Sequence, residues 1–427
     1  MVITEKELIP ECSCGREHGL ALKKAVIARG AVSALPDALG EYGLPGRFAV
    51  IYDENTFAAL DGKRPAAARE VVLDPAGLHA NEKGVAAAEE KLGDEPLLIA
   101  AGAGTVHDIT RYIAAKRGVP FVSIPTAASV DGFAASVAAM TLGGFKVTSP
   151  AVAPRLVFAD SDVIAAAPRR LTASGFGDVL GKYVSLADWE IAHVLTGEYF
   201  CGGIASLMEQ AVLEAADASA GIADGDTEAY EKLMKALILS GAAMQLAGNS
   251  RPASGAEHHI SHLMELGMPW LPPVDALHGE KVGVGTLLAL RAYARWRVQK
   301  PDAVAKAVSA WTSPSEETLR TEFGGLTESI LAENADDCLS QVTADSVLSN
   351  WDAVKAILKR LPSADEVEAM LKRVGGKTTL AELGVGEELE GRILLWSPFV
   401  RNRLTFMRLM NIQSALSRFC CCGNMMM

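Results

Sequence analysis

The chain has 427 residues, 49% of them hydrophobic and 22% charged, with 40 Lys and Arg against 52 Asp and Glu for a net charge of −12. That length and apolar fraction supply a packed core, which excludes an intrinsically disordered chain and allows two or three domains. A pI near 5.3 argues against nucleic acid as a partner, since neutralising a phosphate backbone takes basic charge, and no run approaches the roughly 18 apolar residues of a membrane span.

In chain order, acidic residues follow Met1 where an export signal would carry basic and then apolar ones, so a soluble, cytoplasmic protein is expected. Seven cysteines, grouped at Cys12/Cys14 and at 420–422 with Cys201 and Cys338 alone, fit thiols in a reducing compartment better than a disulfide framework. Short apolar runs then alternate with helical patterns, the rhythm of a doubly wound sheet. Strands are predicted over 47–53, ending in Asp53, and over 70–74, 96–101 and 120–124, with amphipathic helices over 81–91 and 108–116. After about residue 162 strand-like runs become scarce, and 200–219 and 227–246 carry apolar residues at helical spacing. The expectation is an α/β domain over 1–165 and an all-helical domain over 166–427, with the Cys- and Met-rich tail after about 418 disordered.

Several constellations can carry chemistry. The turn Ala101-Gly-Ala-Gly-Thr-Val-His-Asp108 follows a predicted strand and opens a helix, so its amides can cradle a pyrophosphate; it can equally be a plain tight turn. Asp53 is placed to accept from a ribose diol, or to cap the helix that follows. His258 and His262 lie four apart on one helical face and His278 follows twenty positions after His258. Imidazoles so concentrated suit a divalent cation of the Zn²⁺ or Ni²⁺ type, with Asp178 as the best carboxylate partner, whereas the bland alternative is a set of caps in a polar core. Cys12-Ser-Cys-Gly-Arg-Glu-His18 offers three soft ligands where a closed zinc site needs four, so it reads as a turn with thiols, and Cys201 reads as packing.

Taken together, the runs at 102–108, 124–132, 173–182, 250–262 and 278–282 resemble the sn-glycerol-1-phosphate dehydrogenases, in particular their bacterial branch. These share a fold group with glycerol dehydrogenase, the iron-type alcohol dehydrogenases and dehydroquinate synthase. The resemblance implies an N-terminal nucleotide-binding domain, a helical metal- and substrate-binding domain and an active site in the cleft between them. It assigns Asp178, His258 and His278 to one divalent metal per subunit. It assigns Asp53, the turn Gly104, Thr105, Val106, His107 and Asp108, the loop Thr126, Ala127, Ala128 and Ser129, and Ala135 to NAD(H) or NADP(H). Asp131, Asp178 and His262 match positions that meet the substrate, Asp131 and His262 with catalytic roles. Position 182 holds Lys where the iron-type alcohol dehydrogenases use a fourth ligand, so a metal held by three protein ligands is expected, and Ala135 stands where many relatives have Ser.

The implied reaction is reversible reduction of dihydroxyacetone phosphate to sn-glycerol 1-phosphate, feeding glycerophospholipid synthesis, in a homodimer. The substrate phosphate needs a cation, and among Arg251, Lys182, Lys146 and Lys281 the preference is Arg251. A glycerol or polyol dehydrogenase of the same fold, or a carbon-cyclising lyase of the dehydroquinate synthase type, is the alternative.

Overall fold

The computed structural model describes residues 1–143 and 145–412, so the expectation for the tail after 418 lies outside the described residues. The strands are β1 (Val2–Thr4), β2 (Lys24–Ala28), β3 (Ala49–Asp53), β4 (Arg69–Leu73), β5 (Leu98–Gly102), β6 (Phe121–Pro125), β7 (Val137–Leu142), β8 (Phe145–Pro150) and β9 (Leu156–Asp160). Seven of them form one sheet in the order β1-β2-β9-β6-β5-β3-β4, parallel throughout except for β1 at the edge. Both faces are covered. Val50, Tyr52, Ile99 and Ala101 pack into one apolar cluster, and Ala49, Ile51, Leu98 and Ala100 into the other. Burial on both faces is why these strands read as unbroken apolar runs rather than alternating ones.

The four predicted strands are β3, β4, β5 and β6, each within two residues of its expected ends. The chain leaves β3 for β4 on one side and returns to β5 on the other, so β3 and β5 are neighbours at a topological switch point. Asp53 and Gly102 end these two strands on the same edge, the position at which open α/β sheets hold ligands.

Seven helices are used below: α1 (Gly104–Arg117), α2 (Arg169–Leu180), α3 (Lys182–Thr196), α4 (Gly202–Asp217), α5 (Thr227–Ala247), α6 (Ala256–Leu266) and α7 (His278–Trp296). The chain divides into two compact units. One comprises Met1–Val179, Cys201–Pro252 and Arg373–Gly376, and the other Leu180–Phe200, Ala253–Lys372 and the described residues from Lys377. The expected division at 165/166 does not coincide with this one. Helical spacing identifies α4 and α5 as helices but not the body they join, and α5 packs on α4 and on the turn Asp131–Ala134 in the sheet-bearing unit.

The second unit gathers its helices around Asp188 of α3. The Asp188 carboxylate accepts from the Ala256 amide at the start of α6 (2.9 Å), from the Tyr293 hydroxyl of α7 (2.7 Å) and from the Phe406 amide (2.8 Å). One side chain thus satisfies three buried donors from three segments. Among the described residues no helix is long and apolar enough to cross a membrane.

Candidate active site

Helix α6 carries His258 and His262 on one face, and α7 begins with His278. The three rings stand 5.3 to 6.1 Å apart, centre to centre. That approach depends on Gly285, because a Cβ there would come within 2.6 Å of the Glu257 carbonyl oxygen on the facing helix. The start of α7 is fixed by Glu280, whose carboxylate accepts from the Leu277 amide.

Two carboxylates orient these rings, and neither was picked out from the sequence. Glu257 Oε1 lies 2.7 Å from His258 Nδ1, while Glu265 lies 3.3 Å from His262 Nδ1 and 2.9 Å from His278 Nδ1. A carboxylate only accepts, so each Nδ1 carries the proton and each Nε2 presents a lone pair. Burial alone would raise the Glu265 carboxyl, but the two histidines beside it, His278 above all, outweigh that and hold the group well below the usual carboxylate range. His262 keeps 28% of its side-chain surface accessible, yet it sits in protein dense enough that burial lowers its pKa to about 4, leaving it neutral at pH 7.

Asp178 lies near the end of α2, fully buried, and its Oδ2 accepts from the Asp131 amide at 3.0 Å. The Asp131 carboxylate in turn accepts from Ser240 of α5 at 2.8 Å. Helix α2 can reach the loop 126–129 only because residue 175 is Gly: a Cβ there would sit 2.1 Å from the Ala128 carbonyl oxygen. The His258 and His278 rings stand 5.3 Å apart, and Asp178 offers a buried carboxylate in the sheet-bearing unit. One carboxylate and two imidazoles in neutral form make a donor set that fits a single divalent cation of the Zn²⁺ or Ni²⁺ type. Lys182 is no ligand: its ammonium donates to the Ala253 carbonyl at 3.0 Å.

At the switch point, no side chain caps α1, so the amides of 104–106 at its start are left for an anion. Gly104, Thr105 and Asp108 keep partly accessible surface. Val106 and His107 do not, and their side chains face inward. Asp53 does cap the helix Glu54–Ala59, Oδ1 accepting from the Thr56 amide at 2.8 Å, so the capping alternative is realised in the fold. In the loop, Thr126, Ala127, Ala128 and Ser129 are buried, and the Ser129 hydroxyl has no hydrogen-bond partner among the described residues. Buried Arg111 donates to the carbonyls of Phe133, Ala135 and Val137, which fixes the backbone around Ala135.

His107 is spent on structure. Its Nδ1 donates to the Ala103 carbonyl, its Nε2 accepts from the Ser123 hydroxyl at 2.7 Å, and Phe133 meets its ring edge-on. Burial, aided by the Arg111 charge, lowers its pKa from 6.5 to about 3. The unfolded chain therefore takes up this proton first as pH falls. The contribution is fully present above about pH 6.5 and erodes toward pH 3, with a loss on the order of 3 kcal/mol by pH 4. Urea unfolding between pH 7 and 4 should show a shallower acid limb in His107→Gln than in the parent; parallel limbs would refute the assignment.

The chain from 26 to 168 matches the family described as iron-containing alcohol dehydrogenase. Over 94% of its length it superposes on the NAD⁺ complex of sulfoacetaldehyde reductase from Bifidobacterium kashiwanohense, covering 98% of that chain with a TM-score of 0.60 at 15% identity. The fold thus defines an iron-type alcohol dehydrogenase architecture. The curated relatives narrow this. The NAD(P)⁺-linked glycerol-1-phosphate dehydrogenase of Bacillus licheniformis is 34% identical over 418 residues, 95% of this chain and 93% of the relative. That of Pyrococcus furiosus is 45% identical over 191 residues, 44% of this chain and 54% of the relative. The chain belongs to the glycerol-1-phosphate dehydrogenase family.

Proposed function

We propose that the chain interconverts dihydroxyacetone phosphate and sn-glycerol 1-phosphate with NAD(H) or NADP(H), and that Asp178, His258 and His278 hold one catalytic Zn²⁺ or Ni²⁺ per subunit. The observation that carries the reading is the pair of imidazoles, His258 and His278, 5.3 Å apart with each Nδ1 already committed to a buried glutamate. When bound, the cation supplies a Lewis acid and the nicotinamide a hydride.

The chain's own side chains do the rest. Asp131, held by Ser240, accepts from a substrate hydroxyl, and His262, kept neutral by burial and anchored through Nδ1, turns Nε2 to the substrate and passes a proton on. Gly104, Thr105, Val106 and Asp108 receive the pyrophosphate side of the dinucleotide, and the second oxygen of Asp53 accepts from the ribose diol. The loop Thr126–Ser129, with the unpartnered Ser129 hydroxyl, and the backbone at Ala135 border the nicotinamide end. Arg251, 4% exposed, meets the substrate phosphate, while Lys281 is paired with Glu265 at 3.2 Å. A cytoplasmic homodimer belongs to the same proposal and is checked by light scattering.

The test is oxidation of NADH and NADPH by dihydroxyacetone phosphate after chelation and after return of Ni²⁺ or Zn²⁺, with the product's stereochemistry determined. Metal-dependent formation of sn-glycerol 1-phosphate is expected. Equal turnover of unphosphorylated glycerol would favour a polyol dehydrogenase, and a reaction with no net change in nicotinamide a cyclising lyase. Arg251→Ala should raise KM for dihydroxyacetone phosphate about 10- to 100-fold, the size of a lost charge-assisted hydrogen bond, and spare unphosphorylated substrates. Glu265→Gln places an amide N–H against an imidazole N–H, so metal affinity should fall about 10- to 100-fold; a dialysis titration that finds it unchanged rejects the orienting role.

A further inference from the structure

A second group of metal-binding side chains lies in the sheet-bearing unit, far along the chain from the histidines of α6 and α7. Cys12, Cys14, His18 and Cys201 place their donor atoms within 4.8 Å of one another. We propose that these four residues form a closed, structural zinc site of the Cys₃His type. In sequence, residues 12–18 offer three ligands and Cys201 reads as packing. Folding supplies Cys201 as the fourth, 183 positions from His18.

The geometry suits a tetrahedral ion. His18 Nε2 lies 3.2 Å from Cys12 Sγ, 3.3 Å from Cys14 Sγ and 3.5 Å from Cys201 Sγ, and the first two sulfurs are 3.4 Å apart. A tetrahedral ion with Zn–S of about 2.3 Å and Zn–N of about 2.0 Å has S···N edges of about 3.5 Å and S···S edges of about 3.8 Å. Expansion by a few tenths of an ångström accommodates it. The imidazole is also prepared for the role: Nδ1 lies 3.0 Å from the Leu246 carbonyl oxygen, which can only accept. The proton therefore sits on Nδ1 and the Nε2 lone pair faces the three sulfurs, the arrangement that orients metal-bound histidines.

The surroundings fit a fastener rather than a catalyst. Cys201 is fully buried immediately before α4, Leu246 closes α5, and the irregular segment 10–23 carries the other three ligands. Four protein ligands leave no open position for a substrate. Gly203 lets the segment lie against α4, since a Cβ there would meet Pro10 Cβ at 2.9 Å. An ion here ties the N-terminal segment to the start of α4 and the end of α5. Binding displaces the thiol protons of the three cysteines, which become thiolates, with no change of oxidation state.

The test uses the whole chain, purified under reducing conditions, with Co²⁺ as the probe. Thiolate ligands give cobalt an intense near-ultraviolet charge-transfer band that carboxylate and imidazole ligands do not. The expected result is that band in the parent, its loss in Cys12→Ser/Cys14→Ser, one bound metal fewer per chain in that variant, and a fall in Tm on the order of 5 °C. A cobalt-loaded parent without the band overturns the proposal, and so does an unchanged metal count in the variant. Should the variant fail to fold, the parent's spectrum still decides. The readout is independent of the active-site reading, because a failure of the Asp178, His258 and His278 assignment leaves the sulfur band untouched.

Discussion

Replacing His258 with alanine is expected to lower kcat/KM for dihydroxyacetone phosphate by about a thousandfold or more, since polarisation of a carbonyl by a bound cation supplies several kcal/mol and about 4 kcal/mol corresponds to three decades in rate. In the proposed site His258 is one of three ligands, and its loss would leave a two-ligand set too weak to retain the ion through dialysis. It also removes the His258 Nδ1 contact from Glu257 Oε1. Metal analysis beside kinetics makes the result decisive. The active-site ion should disappear while an ion held by the cysteines remains, so the content per chain falls by one rather than to zero. A His258→Ala protein that keeps its full metal complement, or most of its kcat/KM, removes His258 from the ligand set.

What the sequence made legible follows from how local each signal is. The spacing of four between His258 and His262 is a property of one helix, and β3 to β6 announce themselves because both their faces are buried. The reaction rests on a different kind of signal, several motifs in consistent order, and the curated relatives carry it along most of the chain. Other features were less accessible. The edge strand β1 has three residues, too short for any period to register, and β2 and β9 lie inside the expected α/β domain without being among the predicted strands.

Long-range features escaped altogether. Glu265 stands seven after His258, on the same helical face, so its role as a bridge between His262 and His278 had a trace in the spacing; Ser240 beside Asp131, 109 positions away, had none. Cys201 is the same case on a larger scale, since nothing in an Ala- and Gly-rich stretch marks it as the complement of a motif near the N-terminus. His107 errs in the opposite direction. It sits inside a phosphate-binding motif, where position suggests contact with a ligand, but the helix that begins at Gly104 turns its ring into the core. A motif specifies where the backbone goes, and the helical period then decides which side chains can follow it out.

Asp188→Ala should be the most damaging single change to stability in the second unit. It leaves the Ala256 amide, the Phe406 amide and the Tyr293 hydroxyl without their acceptor, each buried. An unsatisfied buried donor costs about 1–3 kcal/mol, so the sum over three is roughly 3–9 kcal/mol, a large share of the 5–15 kcal/mol that holds a typical domain together. A drop in Tm of about 10 °C or more is expected by calorimetry. The ionisation of the same group provides a second, independent check. Burial, with the nearby Glu257 charge, raises the Asp188 carboxyl to about 7 against the pull of its three hydrogen bonds. A raised folded-state pKa means a contribution present in full below about 3.8 and lost as pH rises through about 7. Asp188→Asn, which mimics the protonated acid, should therefore lose less relative to the parent at pH 8 than at pH 5, while Asp188→Ala is severe at both. Urea unfolding at the two pH values separates these outcomes. An alanine variant within about 1 kcal/mol of the parent would show that water replaces the carboxylate at this junction.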